Sequence, residues 1–215
     1  MRIRRFEQIR FLLRDAISTL CSLLLLLPMS CAHEKKAKVN QNAIVAKQAD
    51  PYLAQKRMQQ KIEEGIQTAQ RQLEAKEFQK ALGVYRSLHA KYPQEESLVN
   101  AYARTIEDIK SVADKAFGSK DHLRAGIMYA LLLKNYPSFK SFHKMLSFNK
   151  AHLMARIDEC GACLYRKGME QYRQNDLSGA IGIWESVLSF DPSNPETQRA
   201  IAMAKLQLRT LRDMK

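Results

Sequence analysis

The sequence predicts an all-α protein, a solenoid of about three helical hairpins closed by a capping helix. Three observations point there. Gly and Pro number only eight and six in 215 residues, too few for a turn-rich β architecture. Ala, Leu, Lys, Gln, Glu and Arg outweigh Val and Thr, and those are the side chains that lose least on entering a helix. One short phrase then recurs three times after residue 77. With 46% apolar residues the chain can bury an ordinary core, and four Cys are too few and too scattered for a disulfide framework. Lys plus Arg is 35 against 22 for Asp plus Glu, a formal charge of +13, so an anionic partner or surface is worth weighing against a merely solvated basic exterior.

Residues 1–30 read as an address. Arg2, Arg4, Arg5, Arg10 and Arg14 form a basic head opposed only by Glu7, and after Asp15 the stretch 16–27 is uncharged. Those twelve residues rise about 18 Å as a helix, short of the ~30 Å hydrocarbon core, which suits a signal peptide. An uncleaved anchor or a buried amphipathic helix is the alternative. The run ends Leu27-Pro28-Met29-Ser30-Cys31-Ala32, which resembles the bacterial lipoprotein signal, where a small residue precedes a Cys that becomes the lipidated N-terminus. The resemblance implies lipidation at Cys31, although Pro28 stands where that family usually has Leu, Val or Ile. Ala32 after the Cys implies sorting to the outer membrane, facing the periplasm. Cleavage after Ala32 by a leader peptidase would instead release a soluble periplasmic protein. Residues 31–49 are polar and Lys-bearing with no apolar period, and read as a lipidated N-terminus and flexible tether whose reach is about 23 Å.

A helical domain is expected over 50–215. Asp50-Pro51 supplies an N-cap followed by Pro at the first helical position. The recurring phrase runs from Phe78-Gln79-Lys80-Ala81 to Tyr92-Pro93, from His122-Leu123-Arg124-Ala125 to Tyr136-Pro137, and from Leu177-Ser178-Gly179-Ala180 to Asp191-Pro192. Ala and Pro lie twelve apart each time. Four residues after the Ala stands an aromatic (Tyr85, Tyr129, Trp184), and twelve before it a small residue (Ala69, Ala113, Gly168). Two helices approach closely where one offers a small side chain, the aromatic fills the volume beside it, and Pro stops the second helix. The copies are spaced with insertions of ten and twenty-one residues, so the first helix of each later hairpin should be extended. Phe142, Leu146, Leu153, Ile157, Cys160, Leu164 and Gly168 keep helical phase, which predicts a helix from about 141 to 174 with Asn149 as its breakable point. Asn194-Pro195 starts a last helix, with Ile201, Leu208 and Leu211 expected on its buried face.

This pattern resembles the tetratricopeptide repeat (TPR), a 34-residue helix-turn-helix unit. The third copy, 161–194, matches most completely through Gly168, Tyr172, Asn175-Asp176, Ala180, Trp184, Leu188 and Pro192. Copies 62–95 and 106–139 keep the small residues, aromatic and Pro, with His122 replacing an apolar residue in the second. The resemblance implies a TPR-like helical-hairpin solenoid that binds extended peptides or helices on a wall built from the first helix of each unit. The family's groove positions fall on Ile66, Gln70 and Leu73, on Lys110, Asp114 and Phe117, and on Tyr165, Met169 and Tyr172. The last row, two aromatics and a thioether at steps of four and three, suits a peptide or helix partner, or else packs beneath the C-terminal helix.

Cys160-Gly161-Ala162-Cys163 is the one motif with reactive potential. A redox dithiol, half of a zinc site, an i,i+3 disulfide in an oxidising compartment and plain packing all fit CxxC. No strand-period segment flanks it, only His152 and acidic residues lie near in sequence, and Leu164 stands where a haem-attachment motif has His, so packing is the favoured reading. His33, His89, His122 and His143 are scattered, Glu63-Glu64 and Glu95-Glu96 suit solvated faces, and neither a phosphate loop nor a helical His-Glu-x-x-His pair occurs. Catalysis and a cofactor are therefore not expected. Basic residues are dispersed rather than gathered on one reading helix, which argues against nucleic acid and leaves anionic lipid, cell-wall polymer or an acidic protein as candidate surfaces.

Together with the export signal, the resemblance implies an envelope TPR lipoprotein, a scaffold or assembly factor of the pilus, secretion or outer-membrane machinery type, with envelope proteins as partners and the membrane reached through its lipid. The alternatives are a periplasmic thiol, redox or metal-binding protein using Cys160 and Cys163, and a cytoplasmic adaptor with an N-terminal membrane anchor.

Overall fold

The chain divides between Gln48 and Ala49 into two units. The computed structural model describes residues 51–214, within the second. Residues 1–30, Cys31 and the tether 31–49 lie outside the described residues.

Described residues form seven α-helices and no strand: α1 (Pro51–Glu74), α2 (Phe78–Lys91), α3 (Glu96–Gly118), α4 (His122–Asn135), α5 (Lys150–Arg173), α6 (Leu177–Leu188) and α7 (Pro195–Asp213). Two 3-10 turns, Tyr136–Phe139 and His143–Met145, separate α4 from α5. Each helix packs on the next, and α1 also touches α3 as α4 touches α6. The result is an all-helical, solenoid-like stack of hairpins α1–α2, α3–α4 and α5–α6, with α7 against α6.

The three hairpin turns share one backbone device. Lys76, Lys120 and Asn175 adopt φ of 61°, 63° and 61°, and each stands five residues before its repeated Ala. In each turn the following residue donates to the carbonyl five back (Glu77 to Gln72, Asp121 to Ala116, Asp176 to Gln171), while the left-handed residue donates to the carbonyl three back. This is the Schellman closure of an α-helix, which satisfies carbonyls the helix itself leaves free. Asp121 and Asp176 then cap the second helix by accepting from Arg124 N at 3.1 Å and Gly179 N at 2.8 Å. Glu77 makes no such cap and instead pairs with Lys80 Nζ at 2.7 Å.

The nine small and aromatic positions of the repeated phrase are all buried. Gly168 shows why small residues stand there: a Cβ would lie 2.6 Å from Cδ1 and 2.7 Å from Cε2 of Trp184. Trp184 is 1% exposed and its Nε1–H donates to Tyr165 O at 3.1 Å. Between the first two hairpins the filling is aromatic. Tyr85 stacks on Tyr102 with centroids 5.1 Å apart, and Phe139 and Phe142 pack on Tyr102 at 5.8 and 5.2 Å.

The insertions resolve differently from one another. The first is the N-terminal part of α3, so that helix is extended as the spacing requires. The second is not a continuous helix from 141: α5 begins at Lys150, after Asn149 with φ −127° and ψ 178° whose side chain accepts from His152 N at 2.9 Å. Residues 136–149 instead fold back on the earlier hairpins. Phe139, Phe142 and Phe148 are buried, Ser141 Oγ meets His89 Nε2 at 3.3 Å, and Glu107 accepts from Ser147 N and Oγ at 2.6 and 2.8 Å. The apolar residues expected to line a helix face therefore anchor a loop. In α7 the buried face is Thr197, Ile201 and Ala204. Leu208 is half-buried and Leu211 is 37% exposed, because α7 has nineteen residues and α6 only twelve.

Candidate functional site

The first-helix wall is carried by α1, α3 and α5. In its first set Ile66 is buried, Leu73 is half-buried against the same core and Gln70 is exposed. Only Gln70 offers a free side chain there.

The second set forms a polar constellation. Lys110 and Asp114, one turn apart on α3, pair at 2.6 Å between Nζ and Oδ2. The other carboxylate oxygen accepts from Tyr129 OH of α4 at 2.6 Å. Desolvation would raise the Asp114 carboxyl, but the hydrogen bonds from Lys110 and Tyr129 and the nearby Arg156 outweigh it and hold its pKa below the ordinary value. Burial first, then the bond to Asp114, pushes Tyr129 up, so the pair is carboxylate and neutral phenol. Arg156 of α5 places its guanidinium 4.6 Å from the centroid of Phe117, within cation–π range, while binding Glu159 at 2.8 Å. His122 meets the same ring edge-on at 5.4 Å. The outcome is a mixed-charge ledge with an aromatic, joining the second hairpin to the third. The Lys110–Asp114 spacing was legible in the sequence; Arg156, thirty-nine residues from Phe117, carried no local signal.

The third set lies against α6 and α7. Tyr165 stacks on Trp184 at 5.9 Å and Tyr172 tilts against it at 6.0 Å, and Met169 packs on the cluster of Ala180, Ile181, Trp184, Ile201 and Ala204. Tyr172 OH donates to Gln207 Oε1 of α7 at 2.7 Å. All three are half-buried, so this row keeps only part of its surface open to solvent.

Cys160 and Cys163 are free thiols. Cys160 is buried in the core, and burial, with smaller contributions from Cys163 and Glu159, pushes its pKa up to about 12. A thiol so placed stays protonated at neutral pH and is a poor nucleophile or ligand. Half-buried Cys163 accepts from Arg166 at 3.3 Å. Among the described residues no group of three or more His, Cys, Asp or Glu is placed to hold a metal ion, and no helix is long and apolar enough to cross a membrane. Cys31, where the sequence leads one to expect a lipid, lies outside the described residues. No family model, curated protein or solved structure matches this chain.

Proposed function

We propose that this chain is a TPR-type scaffold of the bacterial cell envelope, anchored at the outer membrane by a lipid on Cys31, that holds protein partners against its first-helix wall. One observation carries the repeat reading. The small residue, the left-handed turn residue, the buried Ala and the aromatic recur in the same register three times, at 69-76-81-85, 113-120-125-129 and 168-175-180-184. Stacks of this kind bind by surface rather than by chemistry, and the Lys110, Asp114, Phe117 and Arg156 ledge offers both charge signs and a ring to a peptide or helix. The basic head and twelve-residue apolar run before Cys31 support the export and lipid readings.

The test is photocrosslinking in intact cells from Gln70 on the wall and, as control, from exposed Arg86 on α2, with fractionation of wild type and Cys31→Ser. Expected are adducts from Gln70 alone and loss of membrane attachment in Cys31→Ser. Equal labelling from both positions would remove the wall, and wild-type protein wholly soluble with His33 as first residue would remove the lipid anchor.

A further inference from the structure

The segment 140–154, within the second insertion, is basic and carries exposed methionines, and neither the repeat pattern nor the lipid reading accounts for it. Between Asp121 and Asp158 the chain carries six Lys or Arg and no Asp or Glu. Within that span Phe142 and Phe148 are buried and Leu146 half-buried, and these anchors turn His143, Lys144 and Met145 outward as three consecutive exposed residues. Lys140 and Lys150 flank them, both exposed. Met145 is 48% and Met154 is 47% exposed, and Met154 shares a face of α5 with Lys150, one turn away. Lys140, Lys144 and Lys150 make no ion pair among the described residues. The adjacent carboxylate, Glu107, is engaged from below by Ser147 N and Oγ, so it fixes the base of the loop while its tip stays cationic.

We propose that this loop docks on an anionic phospholipid surface, with Lys140, Lys144 and Lys150 at the headgroup phosphates and Met145 entering the interface. The geometry favours a bilayer over an acidic protein. The exposed run carries three lysines and no carboxylate, and an unbranched thioether between lysines is the combination that can bury its apolar end while the ammonium groups remain at the headgroups. This inference stands apart from the scaffold reading, since it uses neither the first-helix wall nor Cys31.

The experiment uses the full chain and vesicles of equal parts phosphatidylglycerol and phosphatidylcholine, or of phosphatidylcholine alone. The Arg-rich head at 2–14 is common to wild type and variants, so a difference between them belongs to the loop. Each Lys close to an anionic surface contributes about fivefold to partition, so Lys140→Gln/Lys144→Gln/Lys150→Gln should lose about tenfold to a hundredfold on the anionic vesicles and nothing on the neutral ones. Met145→Trp supplies a second reading, because the native Trp184 is buried and gives a constant background. Its indole emission should shift to the blue with anionic vesicles only, and raised salt should reverse the shift. Partition of the triple variant within twofold of wild type would overturn the proposal. So would vesicle-bound Met145→Trp without a shift.

Discussion

Replacing Gly168 by Ala should destabilise the protein although it adds a better helix former. In an open helix interior the change gains about 0.5–1 kcal/mol. Here the new Cβ would lie 2.6 and 2.7 Å from two ring carbons of Trp184, where unstrained carbon contacts need about 3.5–4 Å, so the indole must retreat by about 1 Å. It has little room, being fully enclosed and flanked by Tyr165 and Tyr172. Overpacking of this kind costs about 1–3 kcal/mol, and displacing Nε1 from Tyr165 O forfeits a hydrogen bond worth about 1 kcal/mol. The net expectation is a loss of about 1–3 kcal/mol. Gly83 and Gly182 provide the control, since a Cβ at either meets nothing within 4 Å; Ala at those positions should stabilise by up to about 1 kcal/mol. Urea unfolding followed by helical ellipticity and by emission of the chain's single Trp reads both. A Gly168→Ala protein as stable as Gly182→Ala would refute the small-on-aromatic account of the hairpins.

Two further outcomes follow from the turns and the ledge. Lys76→Gly and Lys120→Gly should each stabilise by about 0.5–1 kcal/mol, because a Cβ-bearing residue pays for the left-handed conformation at φ 61° and 63°; Asn175→Gly should change less, and thermal melts decide. Tyr129→Phe should cost about 1 kcal/mol at neutral pH, a value reduced by the solvent reaching Asp114. Because the Asp114 pKa is depressed on folding, the stability its ionised form contributes is present above the ordinary value of 3.8 and lost as pH falls through the folded one. The difference between wild type and Tyr129→Phe should shrink over that acid range, as unfolding curves across pH would record; a difference independent of pH would separate Tyr129 from the carboxylate.

The fold class, the hairpin positions and the capping helix were legible because they rest on local rules: small residues where backbones approach, Pro after a helix, Asn-Pro at a start. What escaped were contacts made over distance. Phe142, Leu146 and Leu153 keep helical phase, and the break falls at Asn149, the point the sequence marked as breakable; what it did not show is that the first two serve as anchors of a loop, because the aromatic gap beside Tyr102 and the carboxylate of Glu107 offer it better partners. Leu211 lies close to the buried face of α7 in phase but beyond the end of α6. For the wall, the Lys110–Asp114 pair has an i,i+4 spacing and the packing of Tyr165, Met169 and Tyr172 beneath the C-terminal helix was one of the two readings their spacing left open, whereas the burial of Ile66 depends on neighbours that periodicity does not specify. Gly126 had no repeat role in the sequence, but a Cβ there would come within 2.8 Å of the Phe190 ring.

Stacked repeats usually couple only to their immediate neighbours, and such arrays can lose end units one at a time. The loop before α5 breaks that rule at one end of this molecule. Ser141 and Phe142 reach His89 on α2 while Ser147 is tied to Glu107 on α3, so the first hairpin cannot open without disturbing a segment that leads into the third. The cluster around Trp184 has no comparable strap and forms its own apolar nucleus with Ile201 and Ala204. Fraying should therefore be polar along the chain: amide exchange should release α7 and the outer half of α6 first, while α1 to α4 and the strap surrender their hydrogens together.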